Sequence, residues 1–362
     1  MHALIQARAV LAWMRNLKAG GVRVGITNEG GRSAVERALQ QTGIPTDAVL
    51  IEITESSVPY YTPTLRSRIS PHTAGSEIEY QTPDYPSGEA PCTYGWNVSW
   101  EGRRHMLVNA HCTDEFGGPY VATAIFQPRV PTWNYQSADY KVGNEVQDPD
   151  FRTDLYGCAS SLAPLGCRYA DVALVEIRDT NRDWDLGGVL RTQSRTMLPS
   201  YYGTLQIDLG RPTFEMSGVL SSLFVGDTVN KVGRTTGWTA GVVESACRNI
   251  FYDGRGYLCS GVVQGPAGRG DSGSPVFWTA ADGRQLVVGI LFSGSPNYDN
   301  IVGDNFNFSH WSYIDYELGQ PAVNDLTVFE STNTSPAFSA TEMPADGSEP
   351  PPDCTSDPSL PC

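Results

Sequence analysis

The residues Gly270-Asp271-Ser272-Gly273-Ser274-Pro275 decide how this chain is interpreted. Glycines near Ser272 allow a sharp turn, because glycine adopts positive φ angles without steric cost. On such a turn the Ser272 hydroxyl is exposed, and the backbone N–H groups of Gly270 and Ser272 can point at one developing oxyanion. An ordinary glycine-serine turn has the same composition, so the stretch must be judged together with the rest of the chain.

Two earlier stretches supply partners for this serine. Asn109-Ala110-His111-Cys112 ends an apolar, strand-like run, and Ala170-Asp171-Val172-Ala173-Leu174-Val175 begins another. A serine hydroxyl is a weak nucleophile at neutral pH and needs an adjacent base. His111 can take that proton and return it later, while a buried Asp171 would fix the imidazole tautomer and stabilise the imidazolium. Taken alone, either residue could be structural; their order before Ser272 favours a shared catalytic role.

With these three contexts in this order, residues 75–320 resemble the chymotrypsin-like serine proteases. The resemblance implies a mostly β chain with a double β-barrel. His111 and Asp171 would come from the first barrel and Ser272 from the second. It also implies that these three residues are catalytic, and that the N–H groups of Gly270 and Ser272 form the oxyanion hole.

A second stretch narrows the resemblance to one branch. Gly233-Arg234-Thr235-Thr236-Gly237-Trp238-Thr239 is similar to the bacterial, streptogrisin-like proteases, in which an arginine pairs with the aspartate before the nucleophile. This predicts a pair between Arg234 and Asp271. The alternative is a solvated arginine in a turn. The chain lacks an Ile-Val-Gly-Gly start after a basic residue, so activation of the trypsin type is not expected.

The resemblance also places the substrate-binding residues. They are expected to include Pro266, Arg269, Ser293, Gly294 and Ser295. Trypsin-like enzymes carry an aspartate at the position that Pro266 holds here, so we expect cleavage after apolar or medium-sized side chains. Arg269 either favours acidic substrate residues or is solvated. Residues 293–295 are expected to pair with an extended substrate strand through backbone hydrogen bonds.

Composition limits the classes of protein that fit. The chain has 362 residues, of which 40% are hydrophobic and 18% charged, with 37 glycines and 25 prolines, as suits a β-rich globular body with many turns. A net charge of −15 would repel nucleic acid. No apolar run is long enough to predict a membrane span. We expect a monomer with polypeptide substrates, possible protein inhibitors, no cofactor and no metal.

The eight cysteines form four close pairs in the sequence: Cys92 with Cys112, Cys158 with Cys167, Cys247 with Cys259, and Cys354 with Cys362. The resemblance implies a disulfide for the first pair, but sequence alone does not fix connectivity. Metal binding is the alternative, although no Cys-x-x-Cys occurs. The even count favours an oxidising compartment, extracellular or periplasmic. No signal peptide is recognised, so an export signal would lie upstream or have been removed.

The chain divides by composition into four parts. Residues 1–56 predict a small α/β unit: a helix over 2–18, a strand at 22–27, a helix opened by the capping box at 33–36 and a strand at 48–54. We interpret this unit as a pro-region, with a permanent appendage as the alternative. Residues 57–74 are interpreted as an exposed linker and cleavage zone. Residues 75–322 would be the protease domain, and 323–362 a low-complexity, disordered tail.

Within residues 75–322, short apolar runs between turn residues predict strands. They lie at 94–100, 106–110, 120–126, 172–177, 242–245 and 286–292. Residues 130–168 are interpreted as a long loop insertion before Asp171. Residues 311–318 are predicted to form the closing helix of the domain.

Together these features predict a secreted serine endopeptidase, made as a zymogen, that works through an acyl-enzyme. Two alternatives remain. An inactive, protease-like binding module would use the same groove. An esterase of the α/β-hydrolase class is disfavoured because the histidine precedes the serine here, whereas that class runs from serine to histidine.

Overall fold

The computed structural model describes residues 10–16, 21–26, 30–53, 62–81, 91–113, 123–129, 140–197, 202–294, 302–319 and 339–341. The chain divides into two compact units, Met1–Thr62 and Pro63–Cys362. Both contain β-sheet, and the second is mostly β. None of the helices in these ranges is long and apolar enough to span a membrane.

The N-terminal unit consists of strands β1 (Val10–Asn16), β2 (Gly21–Ile26) and β3 (Val49–Ile53) with helix α1 (Gly30–Thr42). β2 lies in the centre, antiparallel to β1 and parallel to β3. Val24, Val35 and Leu39 form its small core. The predicted β-α-β arrangement is present. The helix predicted over 2–18 is wrong at 10–16, because that backbone pairs with β2 and tertiary pairing overrides local propensity.

The larger unit begins with ten strands, the last of which begins two residues after Asp171. They are β4 (Arg68–Ser70), β5 (His72–Ala74), β6 (Glu77–Gln81), β7 (Cys92–Thr93), β8 (Asn97–Trp100), β9 (Arg103–Val108), β10 (Ala124–Phe126), β11 (Lys141–Gln147), β12 (Cys167–Arg168) and β13 (Ala173–Ile177). Ten more strands and one helix follow. They are β14 (Trp184–Leu190), β15 (Arg195–Thr196), β16 (Thr213–Val219), β17 (Thr228–Gly233), β18 (Gly237–Tyr252), β19 (Arg255–Gly268), β20 (Pro275–Thr279), β21 (Gln285–Gly294), β22 (Val302–His310), helix α2 (Trp311–Leu318) and β23 (Ser339–Thr341).

The first large sheet has seven strands in the order β7-β6-β10-β11-β13-β9-β8. Its two outermost strands, β7 and β8, are separated in the chain only by residues 94–96. A sheet whose opposite ends are joined so closely must curl on itself. All of its strand pairs are antiparallel.

The second large sheet has eleven strands, with β12-β19-β18-β17-β20-β21-β16-β14-β5 as its main path. Strand β22 pairs with both β19 and β21, which closes a ring of six strands. Ring closure removes exposed strand edges, as in other β-barrels. A curled sheet followed by a closed ring agrees with the predicted double β-barrel.

One hydrophobic core joins the two sheets. It includes Trp96 from the segment between β7 and β8, Leu107 from β9, Phe277 and Ile290 from the second sheet, and Trp311 from α2. The Trp96 indole N–H donates to the Gly289 carbonyl across this core at 2.8 Å. Because a buried indole N–H needs a partner, this bond fixes how the two sheets meet. Helix α2 spans the residues predicted for the closing helix, which confirms that prediction.

Most predicted strands in this unit are present, with shifted ends, but the linker at 57–74 is wrong from residue 62 onward. Leu65, Ile69 and His72 are fully buried, and β5 pairs with β14. The serines, prolines and threonines of this segment suggested exposure, yet its polar groups find internal partners. The Ser67 carbonyl, for example, accepts from the Gln127 amide at 2.9 Å. Residues 54–61 lie outside the described ranges.

Two further segments differ from their predictions. The loop insertion expected at 130–168 contains β11, which pairs with β10 and β13 inside the first sheet. The alternation of apolar and polar residues in β11 is interrupted by the polar residues Asn144 and Glu145, although Glu145 is buried. In the tail, β23 pairs antiparallel with β4, so residues 339–341 are not disordered as predicted. The predicted Cys354–Cys362 loop lies outside the described residues.

Candidate active site

Ser272 lies on the tight turn that leads into β20. The glycines on this turn have positive φ angles, +92° at Gly270 and +95° at Gly273. A Cβ atom at Gly273 would lie 2.1 Å from the Thr93 carbonyl oxygen. The Ser272 carbonyl in turn accepts a hydrogen bond from the Thr93 N–H at 2.7 Å. The turn is therefore held against β7, and glycine is required at Gly273 both for its φ angle and for this close approach.

The backbone N–H groups of the turn separate into two sets. Those of Asp271, Gly273 and Ser274 donate to carbonyl oxygens of the protein. For the N–H groups of Gly270 and Ser272, no acceptor is present among the described residues. These two are the N–H groups that the sequence assigned to an oxyanion hole. Two N–H groups without internal acceptors beside a serine hydroxyl can bind developing negative charge.

His111 lies in a short 3₁₀ turn, Ala110–Cys112, directly after β9. Its Nδ1 is 2.7 Å from Asp171 Oδ2, and its backbone N–H donates to Asp171 Oδ1 at 3.3 Å. The His111 side chain is 28% exposed, whereas that of Asp171 is fully buried. The ring is therefore anchored on its Nδ1 side and open to solvent or substrate elsewhere, as a general base requires.

Asp171 precedes β13 and is fixed by its backbone as well as by its carboxylate. Its N–H donates to Ser309 Oγ at 3.0 Å, and its carbonyl accepts from the Asn109 amide at 2.7 Å. Burial raises the pKa of its carboxyl group, but the His111 ring and the Arg168 guanidinium outweigh that effect and hold the pKa below its ordinary value. Asp171 is thus an ionised, immobile partner for His111.

A disulfide connects the serine turn to the histidine turn. Cys92 is bonded to Cys112, the residue after His111, and Thr93 is the residue that binds the Ser272 carbonyl. Strand β7 therefore holds both turns at once. The predicted pairs Cys158–Cys167 and Cys247–Cys259 are also disulfides.

The predicted pair between Arg234 and Asp271 is wrong. Arg234 instead binds Glu77, with Nη2 2.5 Å and Nε 2.8 Å from Glu77 Oε2. The cation beside Asp271 is Lys231, whose Nζ lies 3.0 Å from Oδ2. Both side chains of this pair are fully buried. Lys231 lies on β17, three residues before Arg234, and its side chain is on the interior face.

The Asp271 carboxylate is saturated with hydrogen bonds. Oδ1 accepts from the N–H groups of Thr235 and Thr236 at 3.0 and 3.2 Å. Oδ2 accepts from the Thr236 hydroxyl at 2.6 Å and the Gly268 N–H at 2.9 Å. Burial raises the pKa of Asp271, but Lys231 and these bonds more than offset it, so the pKa lies below its ordinary value. Burial lowers the pKa of Lys231, against the attraction of Asp271.

Sequence reasoning missed Lys231 because it assigned the pairing by resemblance. One signal was available: Val229-Asn230-Lys231-Val232 alternates as a strand, so Lys231 shares a face with the apolar Val229. A lysine on an interior face needs a carboxylate partner, because an unpaired buried charge is costly. Arg168, which binds Asp171, was also missed; its only signal was its position three residues before that aspartate.

Three of the predicted substrate-binding residues lie on β19 or β21: Pro266, Ser293 and Gly294. Pro266 is buried, and its carbonyl accepts from Thr239 Oγ1 at 3.1 Å. Arg269 is exposed at the start of the serine turn. Ser293 and Gly294 end β21, where one edge pairs with β22. On the other edge of β21, the backbone hydrogen bonds to β20 and to residues 273 and 274 end at Leu291. No described strand pairs with this edge beyond Leu291. Ser295 lies outside the described residues.

One group of potential metal ligands is present among the residues that the structure describes. It consists of Cys92, His111 and Cys112, whose ligand atoms lie within 4.8 Å of one another. Both sulfurs belong to one disulfide and are not thiolates. Because a metal binds the thiolate form of cysteine, this group does not offer a zinc site.

No protein-family model and no curated protein sequence matches this chain. It is similar to the solved structure of Thermobifida fusca protease A, with 16% identity, a TM-score of 0.45, and 71% of this chain and 98% of that chain covered. It is similar to Nocardiopsis protease, with 15% identity, a TM-score of 0.42, and coverage of 72% and 98%.

A serine protease specific for glutamic acid is similar too, with 20% identity, a TM-score of 0.44, and 71% of this chain and 100% of that chain covered. The solved structures to which this chain is similar are thus bacterial chymotrypsin-like serine proteases. Similarity at this level assigns no role to any residue, so the chemistry rests on the side chains themselves.

Proposed function

We propose that this protein is a serine endopeptidase in which Ser272 is the nucleophile, His111 the general base and Asp171 the residue that orients the base. The observation that carries the proposal is the buried Asp171 carboxylate 2.7 Å from His111 Nδ1. His111 is in turn connected to the glycine-rich turn of Ser272, because the next residue, Cys112, is bonded to Cys92 and β7 binds that turn.

The reaction follows from these positions. Ser272 Oγ attacks the substrate carbonyl carbon while His111 Nε2 takes the hydroxyl proton, and the Nδ1–H of His111 stays bonded to Asp171. The oxyanion of the tetrahedral intermediate accepts from the N–H groups of Gly270 and Ser272. The C–N bond then breaks, His111 protonates the leaving amine, and an acyl-enzyme ester remains. Water, deprotonated by His111, attacks the ester, and the proton returns to Ser272 Oγ as the acid product leaves.

The Lys231–Asp271 pair has a separate role in this proposal. Asp271 lies in the chain between Gly270 and Ser272, so the bonds to its carboxylate also fix the orientation of the two peptide groups that carry the oxyanion N–H donors. Lys231 supplies the positive charge from within the folded chain. A new N-terminus created by cleavage is therefore not needed to neutralise Asp271.

We propose that substrates bind as an extended strand along the open edge of β21. The backbone of Ser293 and Gly294, continued by Ser295, would pair with it. Pro266 and Arg269 would contribute to the wall of the specificity pocket. Because Pro266 offers no carboxylate, we propose that apolar or medium-sized side chains are accepted before the cleaved bond. Strong cleavage after lysine or arginine, with none after leucine, phenylalanine or tyrosine, would contradict this specificity.

We also propose that the protein acts outside the cytoplasm and is made as a zymogen. Its three described disulfides support an oxidising compartment. The compact N-terminal unit, which ends at Thr62, would serve as a removable pro-region. N-terminal sequencing of the mature, secreted enzyme tests this: a start between residues 54 and 63 supports a pro-region, and a retained residue 10 contradicts it.

The competing function is a protease-like binding module without turnover. A fluorophosphonate probe, which bonds to activated serines, distinguishes the two. We expect labelling of the oxidised protein that is lost in Ser272→Ala and His111→Ala but kept in Ser274→Ala. A cleavage site introduced between residues 54 and 61 should increase labelling if the N-terminal unit is inhibitory. Folded protein that is never labelled, before or after cleavage, would favour the binding module.

A further inference from the structure

A buried arginine lies behind the proposed catalytic pair. The Arg168 side chain is 1% exposed, and its Nη2 lies 2.9 Å from Asp171 Oδ1. Its Nη1 lies 2.8 Å from Asp148 Oδ1 and donates to the Pro149 carbonyl at 3.0 Å. The guanidinium group therefore bridges two buried carboxylates, one of which binds His111.

The two oxygens of Asp171 have different partners. Oδ2 binds the ring nitrogen of His111, and Oδ1 binds the Arg168 guanidinium and the His111 backbone N–H. Rotation of the carboxylate would break bonds on both sides at once. The side chain of Arg168 thus limits the orientations in which Asp171 can meet the imidazole.

Arg168 is itself held rigidly. Its guanidinium carbon lies 4.4 Å from the centre of the Phe151 ring and 5.7 Å from that of Tyr257. Its strand β12 pairs with β19, and the preceding Cys167 is bonded to Cys158. Stacking on aromatic rings and a planar fork of donors suit arginine for such a buried bridge, and lysine could not make both bonds in the same way.

We propose that Arg168 is a positioning residue that fixes the Asp171 carboxylate for His111, and that its charge makes protonation of His111 less favourable. The inference rests on the proposed function and extends it. A positive charge beside Asp171 offsets part of the negative charge that would otherwise stabilise an imidazolium.

The other charged groups around Arg168 leave this effect in place. The titratable groups that face Asp171 and Arg168 are His111, Asp148, Glu317, Tyr252, Tyr257 and, beyond Tyr252, Arg255. Burial raises the pKa of Glu317 to about 7, so this carboxyl is largely neutral in acid. Asp148 lies on the far side of the guanidinium group, so the positive end of the Asp148–Arg168 pair points at Asp171.

Two variants with opposite expected effects test the proposal. In Ser272→Ala protein, NMR follows the pH at which the His111 ring gains its proton, independently of turnover. Adding Arg168→Gln should raise this midpoint by about half a pH unit to one unit, because the nearby positive charge is lost. Adding Asp148→Asn should lower this midpoint, because the negative charge of Asp148 then no longer offsets part of the positive charge of Arg168. Unchanged midpoints, or shifts in the same direction, would overturn the inference.

A third variant separates positioning from a merely structural role. Arg168→Lys keeps the charge, so the midpoint should stay near that of the parent while kcat of the otherwise wild-type enzyme falls about tenfold or more with little change in KM. If Arg168→Gln does not fold, Asp148→Asn and Arg168→Lys still decide the question. Wild-type protein that fluorophosphonate never labels would contradict the proposed function, whereas the NMR midpoints report on Arg168 in either case.

Discussion

At the scale of single residues, the anchorage of Asp271 is the feature on which the serine turn depends. Its carboxylate has four hydrogen-bond donors besides Lys231, and all of them lie within the same unit. Neutralising either charge of a buried ion pair leaves the other unpaired, which typically costs about 3–5 kcal/mol. Arg234, in contrast, balances Glu77 and is partly exposed.

Lys231→Met is therefore expected to lower the free energy of unfolding by about 3–5 kcal/mol and to reduce the rate of fluorophosphonate labelling at least a hundredfold. Urea denaturation and labelling kinetics measure the two effects. Adding Asp271→Asn should restore part of the stability, because the unpaired charge is removed. Arg234→Met is the matched control, and a larger loss of labelling in that variant would contradict the assignment of Lys231.

Glycine at position 273 is required by the contact with β7 as well as by its φ angle. Gly283 has a similar φ of +88°, but a Cβ atom there would meet nothing within 4 Å. We expect Gly283→Ala to cost about 1–2 kcal/mol, the strain of a left-handed conformation. Gly273→Ala should cost more and should also lower labelling of Ser272. Equal losses of stability in the two variants would show that the close contact with Thr93 adds nothing to the cost of the Gly273 substitution.

At the scale of elements, β7 has an importance out of proportion to its length. It consists of Cys92 and Thr93 alone, yet it binds the turn of Ser272 and, through its disulfide, the turn of His111. A disulfide over a sequence separation of 20 stabilises by about 3 kcal/mol if loop entropy dominates. Its second effect, on the relative position of the Ser272 and His111 turns, is specific to this pair.

Replacing Cys92 and Cys112 by serine should lower both stability and the rate of labelling. Replacing Cys247 and Cys259, which close the hairpin of β18 and β19, should lower stability with little effect on labelling. Thermal unfolding and probe kinetics on the two double variants make the comparison. A hairpin variant that loses as much labelling as the β7 variant would argue against a special role for β7.

At the scale of the whole molecule, buried carboxyl groups affect the free energy of unfolding in two opposite ways. Some stabilise the fold at higher pH, and others stabilise it at lower pH. The pKa values of Asp171 and Asp271 are held below the ordinary value by their partners. The stability they contribute is present above the ordinary aspartate pKa of about 4 and is lost as the pH falls below it. Burial instead raises the pKa of Glu145 to about 7, so its contribution weakens as the pH rises from about 4.5 to 7.

Glu145→Gln should therefore stabilise the protein at pH 8 by on the order of 2 kcal/mol while changing little at pH 4, where the wild-type carboxyl is already neutral. The glutamine can still accept the hydrogen bond that Thr123 Oγ1 donates at 2.7 Å. Urea midpoints at the two pH values give the difference. The exposed Glu244→Gln is the control. A loss of stability at pH 8 would show that the charged form of Glu145 is the one the fold prefers.

Local sequence was enough to name the residues to which we assign catalytic roles. The short contexts of His111, Asp171 and Ser272 are local patterns, recognisable without the fold, as are the strands around them and helix α2. Four cysteine pairs were proposed from proximity in the chain, where close spacing makes loop closure easy, and the resemblance implied the bond between Cys92 and Cys112. The three pairs that lie among the described residues are disulfides. The charge composition likewise depends on residue counts alone.

The groups that lie beside those residues were fixed by tertiary packing instead. Arg234 and Lys231 are both cations in one short stretch. Lys231 lies on the inward face of β17 and binds Asp271, whereas Arg234 follows the end of β17 and binds Glu77. The bridge of Arg168 between Asp148 and Asp171 and the burial of residues 63–74 likewise arise from long-range packing. Such contacts join segments far apart in the chain, and local propensity carries no information about them.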